Sequence, residues 1–264
     1  MSASTNHVTD TERQFPEGVA VVAGGSGGLG SAACEALARQ GSDVAVLYFS
    51  KDAAAAAVVD RLQALGVRAQ AWKLDLCDSA QCANTLTAVA ERFGRIHTAV
   101  YAAGPAITIN YLSRIPPEEF NRVLQADVQA CFNFVHAALP HVRKNGGAMI
   151  GVTTEQLDRV DLRGGLSSVP KAAVDKMFQV IAKEEARFGV RAATLRAGWV
   201  DVGLGTEALS SKMSEEARKA LFSSIPLGRM GQPYEIGESI AFLASRRGAY
   251  ITGVSLTVNG GHHL

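Results

Sequence analysis

The chain has 264 residues, 47% of them apolar and 19% charged, with a formal net charge of +1. That composition is globular, long enough for one large domain with a substantial core, and it excludes a disordered chain. The near-neutral balance gives no support for a nucleic-acid partner or an anionic membrane surface, and neither is expected. No apolar run approaches the roughly 18 residues of a membrane-spanning helix. The opening residues are polar and unlike a secretory signal. Residues 1–16 are read as a flexible N-terminal tail, residues 17–264 as one domain, and the location as cytoplasmic. Cys34, Cys77, Cys82 and Cys131 lack metal-type spacing. They are read as reduced, buried or half-buried thiols, with no metal expected.

The predicted elements alternate. Gly18 to Ala23 is a β-branched apolar run, a strand buried on both faces. A glycine-rich turn follows, then a helix over 31–40 ended by Gly41. Strands are predicted over 43–49, 67–74, 96–103, 147–153, 190–195 and 254–258. Helices are predicted over 52–65, 79–93, 118–144 (with a bend near Asp127 or Pro140), 169–188 and 233–245. Strict alternation implies right-handed crossovers and a parallel sheet of about seven strands with helices on both faces, a Rossmann-type doubly wound α/β domain.

Ala23-Gly24-Gly25-Ser26-Gly27-Gly28-Leu29-Gly30 joins the first strand to the first helix. Glycines there free backbone amides at a helix N-terminus to approach a pyrophosphate. A plain tight turn is the alternative; the strand before and the helix after favour phosphate binding.

Several ordered landmarks together make the chain resemble the single-domain short-chain dehydrogenase/reductases over about residues 17–262. The glycine turn is similar to the family's Thr-Gly-x-x-x-Gly-x-Gly, with Ala23 for the threonine. Asp75-Leu76 closes the third strand, and Tyr101-Ala102-Ala103-Gly104 stands where the family has Asn-Asn-Ala-Gly. Ile225 to Gly231, Glu235, Ile251-Thr252-Gly253 and Val258 to Gly261 most resemble bacterial ketoacyl-carrier-protein reductases. The resemblance implies dinucleotide contacts from Gly24, Ser26, Gly27, Gly28, Leu29 and Gly30, and from Asp75 and Leu76 at the adenine. It implies further contacts from Ala102, Ala103, Gly104, Lys171, Ala197, Gly198 and Val200. It also implies a homodimer or homotetramer, and a substrate lid over 203–224.

The second strand ends Leu47-Tyr48-Phe49-Ser50-Lys51, with no acid until Asp52. A carboxylate at that place repels a 2′-phosphate, whereas Ser50 and Lys51 can receive one. NADP(H) is therefore expected in preference to NAD(H).

The reaction centre departs from the family. The resemblance aligns Asp127 with an asparagine that anchors a water relay, and Thr154 (or Thr153) with a substrate-binding serine. It aligns Ser167 with the proton-donating tyrosine, and Lys171 with the lysine that holds the ribose. A phenol titrates near ~10, whereas an aliphatic hydroxyl has no accessible titration, so Ser167 does not replace the tyrosine as an acid. Dienoyl-thioester reductases of the family use a tyrosine eleven residues before the serine, here Gln156. Enoyl-carrier-protein reductases use one seven before the lysine, here Gly164. Asp158, Asp161, Tyr111, a water relayed from Lys171 and an acidic group of the substrate itself are the candidate proton sources. Ala197 and Val202 replace a proline and a threonine near the expected nicotinamide, with Trp199 between them.

The expected function is an NADP(H)-dependent oxidoreductase acting on a carbonyl or enoyl-thioester small-molecule substrate, with a non-standard proton donor. A non-redox isomerase, dehydratase or cyclase, and a catalytically inactive paralogue that only binds the dinucleotide, are the alternatives.

Overall fold

The computed structural model describes residues 13–203 and 214–264. Residues 1–12 of the expected tail and 204–213 of the expected lid lie outside the described residues. The tail ends sooner than its composition suggested. Phe15 is buried and stacks on His97 at 5.4 Å, and the Arg246 amide donates to the Gln14 carbonyl.

Seven parallel strands run in the order β3-β2-β1-β4-β5-β6-β7. They are β1 (Val19–Ala23), β2 (Asp43–Tyr48), β3 (Ala69–Lys73), β4 (Ile96–Tyr101), β5 (Gly147–Thr154), β6 (Val190–Ala197) and β7 (Ser255–Val258). β1, β4 and most of β5 are buried along their lengths, which is why they read as near-continuous apolar runs.

The helices divide between the two faces. α1 (Gly28–Arg39), α2 (Asp52–Ala64) and α8 (Pro233–Ala244) cover one face, where Leu37, Leu62 and Ile240 meet Val22, Val46 and Leu195. The other face carries α3 (Ser79–Phe93), α5 (Ala130–Arg143) and α6 (Gly165–Glu185), whose Leu86, Phe134 and Phe178 meet Val21, Ala99 and Met149. α4 (Pro117–Leu124) leads through a wide π turn, Gln125–Gln129, into α5, and α7 (Glu215–Ser224) forms the last part of the expected lid segment.

Sheet order reverses between β1 and β4. A doubly wound sheet opens its ligand crevice at such a switch point, outside the carboxyl ends of the strands.

Three boundaries differ from the sequence reading in ways that matter for the site. α1 begins at Gly28 rather than residue 31, so the last glycines form its first turn. α6 begins at Gly165 rather than 169. Pro170 lies inside the helix, and Ser167 and Ser168 belong to the first turn. The expected bend at 118–144 falls at Asp127 as the π turn, while Pro140 is accommodated within α5.

Candidate active site

The glycine turn is built by close backbone approach. Gly24 has φ +76°, and a Cβ on it would come within 2.8 Å of the Ala102 carbonyl oxygen. A Cβ on Gly30 would lie 2.1 Å from the Gly24 oxygen. β1, β4 and α1 thus converge at one point only because those positions lack side chains. At Gly27 a Cβ would meet nothing nearer than the Gly24 oxygen at 3.2 Å. Gly27 is the N-cap of α1 and supplies no side chain to its free amides, which leaves them available to an anion. Val202 leans onto this turn: its Cγ2 would stand 2.1 Å from a Cβ on Gly28.

Ser50 and Lys51 are exposed at the end of β2. The nearest acid, Asp52, is engaged elsewhere, accepting from Lys73 Nζ at 3.2 Å and Tyr48 OH at 3.0 Å. Those hydrogen bonds hold its carboxyl below the usual range. The Asp75 carboxylate accepts from the Cys77 amide and shapes the turn leading to Leu76 and α3. Cys77 itself is exposed, unlike the buried Cys34, Cys82 and Cys131, so the expectation of covered thiols fails at that position, in the turn before α3.

The centre of the site is a buried ionic cluster. Lys171 Nζ donates to Asp127 Oδ1 at 2.8 Å and to the Ala103 carbonyl at 3.0 Å. The Asp127 side chain is 4% exposed and that of Lys171 16%. Tyr101, at the carboxyl end of β4 and fully buried, donates its hydroxyl to the Asp127 carbonyl at 2.9 Å and to Oδ1 at 3.1 Å. Burial, and next the Asp127 charge, push the Tyr101 phenol well above its ordinary pKa. Tyr101 therefore stays protonated and acts as a fixed donor. The π turn sets Asp127 between its two partners; such wide turns recur at functional sites. An ammonium has three protons, so two bonds leave Lys171 one for a ligand. Gly104 lies beside it, with a Cβ position 3.5 Å from Nζ.

Ser167 and Lys171 are four residues apart on α6 and so share a face. The Ser167 hydroxyl makes no hydrogen bond among the described residues, whereas that of Ser168 turns back to the Gly164 carbonyl. Thr154 ends β5, beside Ala197 in the sheet register. Its Oγ1 accepts from the Gln156 amide at 3.2 Å, which leaves its own proton to give. Thr153 is buried and directed to the Leu195 carbonyl, so Thr154 is the open one of the pair. Gly198 donates its amide to the Val258 carbonyl, and Val200 bridges to Gly231.

Of the candidate acids, Asp158 is committed on both oxygens, to Arg196 and to Thr257. Asp161 accepts from Gln156 at 3.4 Å. Tyr111 is 40% exposed. Gln156 and Gly164 lie against one another: a Cβ on Gly164 would be 2.3 Å from Gln156 Oε1.

Two clusters escaped the sequence reading. Tyr101 was noted only as a departure from an asparagine; its place at the end of a buried strand, paired with a second departure at Asp127, was the available signal. The other lies behind Thr154. Buried Glu155 accepts from Asn259 at 2.6 Å and pairs with His262 at 2.9 Å, tying the C-terminal segment to the end of β5. Those partners stand more than a hundred positions from Glu155, and no local pattern announces them.

The family described as Enoyl-(Acyl carrier protein) reductase matches residues 23–263. The chain is 32% identical to the 3-oxoacyl-[acyl-carrier-protein] reductase FabG of Staphylococcus aureus over 247 residues, 93% of this chain and 98% of that one. It is 29% identical to Nodulation protein G of Azospirillum brasilense, over 92% and 97% of the two chains. A short-chain type dehydrogenase/reductase from Mycobacterium ulcerans superposes with a TM-score of 0.89 at 25% identity, covering 95% of this chain and 91% of that chain. A blue fluorescent protein from a metagenomic library, solved in complex with NADPH, superposes with a TM-score of 0.83 at 28% identity, covering 93% and 97%. The crevice at the sheet's switch point, its glycine turn and these matches place the chain in the short-chain dehydrogenase/reductase family of oxidoreductases.

Proposed function

We propose that the protein is an NADP(H)-dependent reductase, or the reverse dehydrogenase, acting on a carbonyl or conjugated thioester, with no tyrosine at the usual proton-donor position. The observation that carries this reading is the anchored Lys171 ammonium, held by Asp127 and Ala103 with one proton to spare.

The residues present fit a dinucleotide. The glycine turn offers a cradle that a Cβ at Gly24 or Gly30 would close. Gly24, Ser26, Gly27, Gly28, Leu29 and Gly30 hold the pyrophosphate. Asp75 and Leu76 border the adenine, and Ala102, Ala103, Gly104 and Lys171 hold the nicotinamide ribose. Ala197, Gly198 and Val200 back the nicotinamide. Ser50 and Lys51 receive the 2′-phosphate, a reading supported by the diversion of Asp52 to Lys73 and Tyr48. The bound nicotinamide supplies the hydride.

The chain's own residues handle the substrate oxygen. Thr154 and Ser167 give it hydroxyl donors, and Lys171 places a positive charge where negative charge develops. A water relayed from Lys171 passes the proton to that oxygen, and Ser167 orients it as a hydrogen-bond partner, not as the acid. The amine left behind is reprotonated from solvent. Asp127, fixed by Tyr101, holds the lysine in place throughout. A homodimer or homotetramer belongs to the same reading, supported by the exposed Phe132 on α5 and Val180 on α6.

The test is to mix purified protein with NADPH and a panel of ketones, quinones and enoyl thioesters and follow nicotinamide absorbance. Turnover of at least one class is expected, with preference for NADPH over NADH. NADPH binding without turnover on any substrate sinks the redox reading and leaves a dinucleotide-binding protein.

A further inference from the structure

At the rim of the crevice, two arginines flank one aromatic ring, with no carboxylate paired to them among the described residues. Arg114 lies over the Tyr111 ring with its guanidinium carbon 5.6 Å from the centroid, and Arg163 does so at 4.9 Å. Neither forms an ion pair among the described residues. The nearest acid in sequence to Arg163, Asp161, accepts from Gln156 instead. Both are exposed, so solvent screens their repulsion, and the pair leaves a local positive charge open to an anion.

The backbone is strained to put one of them there. Arg163 has φ +67°, the sole positive-φ non-glycine among the described residues. A side chain in that conformation is strained and persists where surrounding structure enforces it, often at ligand sites.

The position is not peripheral to the proposed chemistry. The loop carrying Tyr111 starts at Ala103, whose carbonyl holds Lys171. It ends against α6, where Leu112 Cδ1 lies 3.1 Å from a Cβ position on Gly165. Between those points Arg122 donates to the Ala106 carbonyl and Thr108 to Glu119, fixing the loop on α4. The arginine pair is thus tied to the same stretch of α6 as Ser167. On the same two loop stretches, within three positions of Tyr111 or Arg163, are exposed apolar side chains: Ile109 at 60%, Leu112 at 59%, Val160 at 83% and Leu162 at 84%. Charge without a counterion beside uncovered apolar surface matches one kind of ligand.

We infer that Arg114, Tyr111 and Arg163 form a subsite for the anionic end of an amphiphilic substrate, a carboxylate or phosphate on an apolar chain or ring. The guanidinium groups take the acid as charge-assisted donors, the Tyr111 ring holds them in register, and Ile109, Leu112, Val160 and Leu162 cover the apolar part. Naming this ligand the substrate rests on the reductase reading; the subsite itself does not.

The test therefore reads binding, not turnover. With NADP+ saturating, the dissociation constants of decanoate and of the uncharged decanol are measured by calorimetry on the full chain and on the double variant Arg114→Gln/Arg163→Gln. Decanoate is expected to bind at least about tenfold more tightly than decanol to the wild type. That gap is expected to shrink with added salt and to vanish in the variant, which keeps its affinity for NADP+. A gap that survives in the variant overturns the subsite, as does its absence in the wild type. Failure of the redox panel alongside a charge-dependent decanoate site would separate the two proposals.

Discussion

Lys171 and Asp127 form a pair whose members need each other. Asp127 is 4% exposed, and a carboxylate so placed is tolerated only with a cation beside it. Lys171→Met is expected to destabilise the protein by about 3 kcal/mol in urea unfolding, because it strands that charge. Adding Asp127→Asn removes the charge and leaves Tyr101 an amide to bond; the double variant is expected to regain more than half the loss. A double variant no more stable than Lys171→Met would mean that the pair is not the source of the effect. Ser167 is a different case, since no described partner depends on its hydroxyl. Ser167→Tyr is expected to fold normally yet lose activity, because the proposed site uses the space a small side chain leaves above the nicotinamide. A large gain in kcat would instead identify the native enzyme as a weakened version of the family's usual chemistry.

Among the elements, the β1–α1 turn separates two uses of glycine. Gly30 is needed by the fold: its Cβ would lie 2.1 Å from the Gly24 oxygen, with backbone on both sides of the clash. Gly30→Ala is expected to cost about 3 kcal/mol and to abolish NADPH binding with it. Gly27 faces open space apart from one contact at 3.2 Å. Gly27→Ala is expected to shift Tm by only a few degrees while weakening NADPH at least tenfold, read by thermal melting and fluorescence titration. Equal losses for both variants would argue against an open phosphate cradle. This turn was legible in the sequence because strand, glycines and helix are contiguous. The start of α6 was not: Pro170 resembles a first-turn proline, yet the Ser167 and Ser168 amides already bond to the Gly164 carbonyl, where Gly165 packs on Leu112 and Gly164 on Gln156. The π turn was legible as a bend and not as a geometry, since it is fixed by the bonds from Tyr101 and Lys171 to Asp127.

For the whole molecule, the sheet sends its two ends to different tasks. The apolar runs of β1, β2, β4 and β5 and the alternation of strands with helices made the architecture readable, because burial on both faces leaves a strong local signature. Contacts between distant segments left none, and the clearest instance lies at the amino end of the sheet, opposite the crevice. There His97, 2% exposed, is enclosed by Ser42, Thr98 and Phe15. Burial, and then the charge of Arg95, lower its pKa to about 3. In the unfolded chain the same ring titrates near ~6.5. Between those values the unfolded state binds a proton that the folded state refuses, so stability is full above about pH 6.5 and falls as the medium is acidified. The slope is about 1.4 kcal/mol per pH unit for one proton, or roughly 2–3 kcal/mol lost by pH 4.5. Lower still, Glu235 adds a loss of the same sign. Its hydrogen bonds from Arg229 lower its pKa to about 2, so its contribution is present above the unfolded value near ~4.3 and disappears as pH falls toward 2. Urea midpoints measured from pH 8 to pH 4 should therefore decline from about pH 6.5, and His97→Gln should flatten the upper part of that decline without altering NADPH affinity at pH 8. An unchanged profile in that variant would show that acid sensitivity resides elsewhere. A matching loss of NADPH binding would show that the two ends of the sheet are coupled.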